Sequence, residues 1–509
     1  YALPAPLQPG DTALLQFTST ADYKGFVNDG INRDIVYNGT FYSSGLPSMG
    51  YDPNRELNSD EYRKKYGLPK KEDEYPPHDD AEGRRNLLFN DDADLVHLEM
   101  VVSTTPDQIA IAPGYLQKSW EMDGRKYFHY KQDTPIDLFF TVVSARYQVL
   151  RDTARMPDGQ PVSLEIFYHQ PHTRNLSRFM DAYKDGITYY SQVYGNFQFR
   201  QMRLLEFPRY ASFAQSFPNT VPYSESFGWL ADFSDPNSFD YVYFVTAHEL
   251  AHQWWGHQVV PNRTRGSNLI SEALAEYTAL LLTERKYGKD NMKRFLKDEL
   301  DGYLRGRANE AKKENVFINC NRPYQWYQKG SMVFFGLRDL IGDANVNQAL
   351  RAFRDSFALK AEPPYAGSND LYAFVKRFTP DSALYFLEDT WLKITLYENK
   401  MVKATAKDAG NGMYDVTLNL AANKVYADST GAETKAPMND YVNIGIFAEE
   451  TTDKTGRRQT NPLYLQKHKL TAGAHTLTIR VKGKPKTAGI DPYNILIDRI
   501  PDDNMIAVE

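Results

Sequence analysis

His248-Glu249-Leu250-Ala251-His252 says more about what this chain can become than any other stretch. It has the form H-E-x-x-H, and its apolar flanks predict a helix over 240–257. Two histidines four apart on a helix project from one face, one turn above the other. Imidazoles so placed can grip one metal ion, and the glutamate beside the first histidine then faces a water activated by that metal. Catalytic zinc takes three protein ligands and keeps one position open. The next acidic residue after His252 is Glu272, on a second predicted helix over 270–287 that runs through Leu280, Leu281 and Leu282. The expected metal set is therefore His248, His252 and Glu272 around one Zn2+, with Glu249 as the general base. Glu276, one turn beyond Glu272, is expected to hydrogen-bond a ligand histidine and so fix its tautomer. His257 follows His252 by five residues, which rotates it off the metal face and predicts a surface or supporting position. The remaining histidines (His78, His97, His129, His169, His172, His468 and His475) are scattered and form no pattern.

Further blocks extend the motif. His248 to Gly256 reads H-E-L-A-H-Q-W-W-G, Ser271 to Tyr277 reads S-E-A-L-A-E-Y, and Tyr327 to Val333 reads Y-Q-K-G-S-M-V. In this order they resemble the M1 family of zinc metallopeptidases, the gluzincins that include the aminopeptidases, whose blocks are H-E-L-A-H-Q-W-F-G, N-E-G-F-A-E-Y and Y-x-K-G-x-x-V. The resemblance implies a thermolysin-like catalytic fold, a zinc cofactor and a peptide substrate. It also gives Tyr327 the family role of hydrogen-bond donor to the oxyanion.

Two departures bear on this reading. Residues 253 to 271 separate the second histidine from Glu272, one more than the family spacing. The extra residue is expected within Pro261–Gly266, where Arg263 and Arg265 stand in place of the family's tryptophans. The family's aminopeptidases also carry a G-x-M-E-N strand whose glutamate binds the substrate's α-amine. Tyr223-Ser224-Glu225 resembles the family's Y-R-E, and counting back from it sets that strand on Phe213-Ala214-Gln215-Ser216-Phe217. Ser216 then occupies the glutamate's place, and a neutral hydroxyl cannot pair with an ammonium as a carboxylate does. Glu225 is a candidate substitute. An aminopeptidase with an unusual amine anchor thus stands beside an endopeptidase, or an exopeptidase that recognises chain ends differently. A third reading is a non-enzymatic binding or regulatory module of a membrane transporter assembly. The resemblance is nearest to M1-like domains fused to bacterial membrane permease segments. It implies a longer, membrane-attached polypeptide with this portion on the extracytoplasmic, periplasmic side. In keeping with this, Leu7-Gln8-Pro9-Gly10-Asp11 resembles the middle of an M1 N-terminal β domain.

Composition narrows the alternatives. A chain of 509 residues predicts two to four domains. A hydrophobic share of 42% with 24% charged residues fits a soluble globular protein, and a net charge of −6 without a basic stripe speaks against nucleic-acid binding. Cys320 is the single cysteine, so an intrachain disulfide and a thiolate zinc cluster are both excluded, and the residue reads as a small buried side chain. No run of eighteen apolar residues predicts a membrane span.

The chain reads as an α+β multidomain fold. Residues 1–155 form a β-rich N-terminal domain, with strands expected over Leu95–Val101 and Leu138–Val143. Within it the charged stretch from Asn58 to Asn86 reads as a solvated loop. Residues 156–397 form the mainly helical catalytic domain, with apolar residues at helical spacing from Arg174 to Tyr194. Residues 398–509 alternate in short strands, as a small β-sandwich does.

Overall fold

The computed structural model describes residues 5–20, 35–36, 39–42, 56–57, 59–71, 75–89, 94–170, 172–209, 211–310 and 314–509. An N-terminal β-rich region, a helical catalytic region and a C-terminal set of β-strands follow one another along the chain. No described helix is long and apolar enough to cross a membrane.

The N-terminal region holds two antiparallel sheets. One orders Ile35–Val36, Gly39–Tyr42, Val142–Ala145 and Ile109–Ile111; the other orders Glu99–Thr104, Arg125–Lys131 and Tyr115–Met122. Both expected strands begin later than the apolar runs that suggested them, at Glu99 and Val142. Upstream of Glu99, Val96 makes only an isolated bridge to Ile136. The stretch from Asn58 to Asn86 departs from the solvated loop expected of it. Its described part from Tyr75 onward docks on the loop that follows the H-E-x-x-H helix. Arg263 N–H donates to the carbonyls of Gly83 and Asn86, Arg265 Nε donates to the Tyr75 carbonyl, and Arg84 pairs with Asp370 at 3.1 Å. Buried backbone groups need partners, and this charged segment supplies them to Pro261–Gly266.

A four-stranded sheet underlies the catalytic region, in the order Thr220–Ser224, Gln201–Phe207, Pro161–Tyr168, Gln148–Arg155. The first three strands are parallel and the fourth is antiparallel. Met202 through Phe207 are buried without interruption, as in a strand covered on both faces. The expected domain boundary at 155/156 falls in the turn of the hairpin Gln148–Arg155/Pro161–Tyr168, so the catalytic sheet begins before it. Hairpin pairing decides this, and no composition shift marks it.

Helix Leu176–Tyr194 buries Phe179, Met180, Tyr183, Ile187, Tyr190 and Tyr194, the stripe that its helical spacing predicts. It lies against the H-E-x-x-H helix, Tyr241–Ala251, which on its other side meets Leu274–Tyr287. The approach is close: a Cβ on Gly186 would lie 2.5 Å from Leu250 Cδ2. Helices Lys289–Asn309, Gly330–Ile341, Asp343–Phe357 and Ser368–Arg377 complete the region.

In the C-terminal region, Lys400–Gly410, Met413–Ala422 and Gly473–Lys482 form one sheet, and Pro462–Thr471, Asn439–Phe447, Thr487–Ile490 and Met505–Ala507 form another. Val416, Leu418, Val442, Ile444 and Val481 share one apolar core, the arrangement of a β-sandwich.

Candidate active site

The H-E-x-x-H helix is positioned before any metal is considered. Asp240 caps its start by accepting the N–H of Tyr243 at 3.0 Å. From Thr246 to Ala251 every side chain is buried. Tyr190 donates to the Ala247 carbonyl at 3.2 Å. The helix ends at Ala251, short of the expected 257. There Trp254 and Trp255 turn into the core, where Trp254 Nε1 donates to the Gly195 carbonyl and Trp255 Nε1 to Thr278 Oγ1. Two large indoles that must reach buried acceptors cannot also continue one helical face.

His248, His252 and Glu272 converge. The two Nε2 atoms lie 3.0 Å apart, and Glu272 Oε2 lies 3.4 Å from that of His248 and 3.5 Å from that of His252. Donors at about 2.0–2.2 Å around one tetrahedral zinc are separated by similar edges, roughly 3.3 Å. His252 Nδ1 faces the Trp255 carbonyl at 3.1 Å, which leaves Nε2 to the shared point. His248 Nδ1 lies 3.7 Å from Glu276 Oε1. Four buried polar atoms here lack a hydrogen-bond partner: Glu249 Oε2, Glu272 Oε2, His248 Nδ1 and Glu276 Oε2.

Charge points the same way. Burial alone would raise Glu272, yet the imidazoles of His252 and His248 hold it well below the carboxylate range. Burial alone would lower His252, but the carboxylates of Glu272 and Glu249 lift it to about 9. Burial lowers His248, against the pull of Glu272. Burial pushes Glu249 up to about 7, with His252 opposing and Glu272 adding. Burial also raises Glu276, together with the carboxylates of Glu299, Glu272 and Glu249. Three carboxylates around two imidazoles make a cluster that a divalent cation neutralises, so the donor set fits zinc.

Tyr327 approaches the same point. Its ring lies 6.3 Å from that of His248, and its phenol stands beside the Glu272 carboxylate. Burial and that carboxylate push the phenol well above its ordinary value, so it remains a donor at neutral pH. Gly330 permits the approach, since a Cβ there would lie 2.5 Å from Ala273 Cβ, on the turn that carries Glu272. Three of the four π turns among the described residues carry site candidates: Glu225–Trp229, Leu269–Ala273 and Gln325–Lys329. Such turns are rare and recur at functional sites. A π turn also takes up more chain than an α turn.

Ser216 and Glu225 lie elsewhere than at the ligand atoms. Phe213–Phe217 runs back along Thr220–Ser224, with bridges at Ala214–Tyr223 and Phe217–Thr220. Ser216 is 2% exposed; its Oγ donates to the Glu249 carbonyl at 2.8 Å and accepts from Gln253 Nε2 at 2.7 Å. Glu225 accepts the Arg209 N–H at 3.0 Å and groups with His172 and Glu206. His257 is buried against Asp137 at 3.1 Å. Sequence reasoning missed Gln253, although it directly follows the second histidine. It also missed Glu299, which no spacing rule ties to the motif.

Residues 179–379 match the peptidase family M1 domain. The matched stretch lies within the helical catalytic region. No curated protein matches the chain. Among solved structures it is similar to Legionella pneumophila aminopeptidase A in complex with aspartic acid. Identity is 15%, the TM-score is 0.51, and 80% of this chain and 45% of that one are covered. It is also similar to an M1 zinc metallopeptidase from Deinococcus radiodurans, at 18% identity and a TM-score of 0.46, covering 59% and 64% of the two chains. The chain thus spans less than half the length of the Legionella protein, and that likeness speaks to fold alone. The H-E-x-x-H helix, the turn and helix that carry Glu272, the Tyr327 turn, Ser216 and Glu225 all fall inside the matched residues, and His169 and His172 lie before them.

Proposed function

We propose that this chain is a zinc-dependent peptide hydrolase. The observation that carries the proposal is the triangle of donor atoms from His248, His252 and Glu272, with edges of 3.0, 3.4 and 3.5 Å and with Glu249 next in sequence. Zinc, when bound there, polarises a carbonyl and acidifies a water. Glu249, brought near neutrality by burial, takes the proton of the attacking water and returns it to the departing nitrogen. Tyr327, kept protonated, donates to the oxygen on which negative charge develops. Glu276 holds His248 in orientation from behind.

End recognition does not use position 216 in this proposal. Its hydroxyl is committed to the Glu249 carbonyl and to Gln253, which favours cleavage that does not depend on a carboxylate at that place. Attachment to a membrane polypeptide and an extracytoplasmic position belong to the same proposal. Fractionation of the full-length protein with and without carbonate washing tests both.

The activity test incubates zinc-loaded protein with a peptide library, free and N-acetylated in parallel, and reads products by mass spectrometry. Cleavage that disappears in Glu249→Gln supports the proposal. Loss of single residues from free peptides alone identifies an aminopeptidase, and equal cutting of blocked peptides identifies an endopeptidase. No Glu249-dependent cleavage overturns the proposal in favour of a binding module.

A further inference from the structure

A second set of metal-type donors gathers where three parallel strands end. Leu205 pairs with Phe167, and Glu206 with Tyr223, so Pro161–Tyr168, Gln201–Phe207 and Thr220–Ser224 finish side by side. Their ends deliver His169 and His172 from the first strand, Glu206 from the second and Glu225 from the third. The carboxyl edge of parallel strands is where open sheets present ligand-binding groups. One donor atom from each of His172, Glu206 and Glu225 lies within 4.8 Å of the others.

The burial of Glu206 makes the grouping more than a surface coincidence. Its side chain is 0% exposed, and its partners are His172 Nδ1 at 2.5 Å, His169 Nδ1 at 3.4 Å and the His169 N–H at 2.7 Å. A fully buried carboxylate is costly unless its charge is matched. Glu225 brings a second carboxyl oxygen into the same group. A divalent cation answers both carboxylates at once and uses neutral imidazole as a ligand. His172 and His169 are 22% and 18% exposed, which leaves the donors open to an ion from solvent.

We propose that His172, Glu206 and Glu225 hold a second divalent ion of the zinc type, with His169 bracing Glu206 through its N–H. Mixed imidazole and carboxylate donors suit zinc better than calcium or magnesium. The ion would clamp the segment after Tyr168 and the π turn Glu225–Trp229 to the end of the central strand. The chain would then bind two ions rather than the single one that the H-E-x-x-H motif predicts.

The test titrates the metal-stripped full chain with zinc and counts ions by equilibrium dialysis and elemental analysis. The parent is expected to bind two ions, His252→Ala one, His172→Ala one, and the double variant none. Glu225→Gln is expected to weaken the second ion at least as much as loss of a supporting group does, roughly 10–100-fold. Cobalt bound by His252→Ala should give visible bands that His172→Ala/His252→Ala lacks. A parent that binds one ion, with none left in His252→Ala, overturns the proposal. So does an ion count unchanged by His172→Ala. If His172→Ala loses its fold by circular dichroism, the count in His252→Ala, where the cluster is intact, decides by itself.

Discussion

Removing the Ser216 hydroxyl tests how Glu249 is held. In a continuing helix the Glu249 carbonyl would accept from the N–H of Gln253. Here the helix stops, and Gln253 N–H turns to the Leu250 carbonyl at 3.0 Å, while His252 N–H goes to His248 at 3.2 Å. Ser216 Oγ takes the vacated place at 2.8 Å. Gln253 completes the brace: its Nε2 reaches Ser216 Oγ and the Phe217 carbonyl, and its Oε1 accepts the Asn219 N–H at 2.8 Å. Ser216→Ala leaves a buried carbonyl without a donor, which costs about 1–3 kcal/mol. Gln253 keeps two of its three bonds. Urea unfolding followed by tryptophan fluorescence should show that loss. A cycle with Gln253→Ala should give a coupling of about 0.5–3 kcal/mol, because the two side chains share a bond. KM for free and N-acetylated peptides should move together. A stability loss below about 0.5 kcal/mol, with KM raised only for free peptides, would mean that the hydroxyl serves substrate, and the reasoning would be refuted.

Tyr327→Phe should lower kcat about 100–1000-fold with little change in KM, measured on any peptide that the parent cleaves. Glu276→Gln should weaken zinc binding roughly 10–100-fold in competition with a chelator, because it stands 3.7 Å behind His248 Nδ1. Lys424 is buried between Asp389 and Asp440, with Nζ 2.5 and 2.8 Å from them. Lys424→Met should therefore cost on the order of 3–5 kcal/mol by thermal or urea unfolding. Burial pushes Asp491 up to about 7 from 3.8, so the folded chain holds that proton more tightly than the unfolded chain. The resulting stabilisation is complete below about pH 3.8 and is lost as the pH rises through about 7. Its size is on the order of 4 kcal/mol, read as the pH-dependent difference between the parent and Asp491→Asn.

The catalytic helices were legible because their signals are local. Leu176–Tyr194 buries the stripe that its spacing announces, and the H-E-x-x-H pair meets on one helix face because four residues make about one turn. Boundaries were less legible. The turn after Gln148–Arg155 lies at the expected domain border, yet the strands on either side pair with each other. The charged stretch before Asn86 reads as solvated, yet its backbone answers that of Arg263 and Arg265. Pairings between distant segments leave no period in sequence.

The sequence by itself determined the candidate metal-binding set. Residue types and a spacing of four point to a metal, a base and a helix, and the order of three blocks points to Glu272 and Tyr327. Only the tertiary structure decided what surrounds them. Ser216 became a brace for the Glu249 carbonyl because the helix ends where two tryptophans turn inward. His169 and His172, scattered in sequence, met Glu206 and Glu225 because three parallel strands end in register. Helical neighbours are fixed by a turn of 3.6 residues and can be counted along the chain. Neighbours across a parallel sheet are fixed by register between segments tens of residues apart, and no local spacing records it.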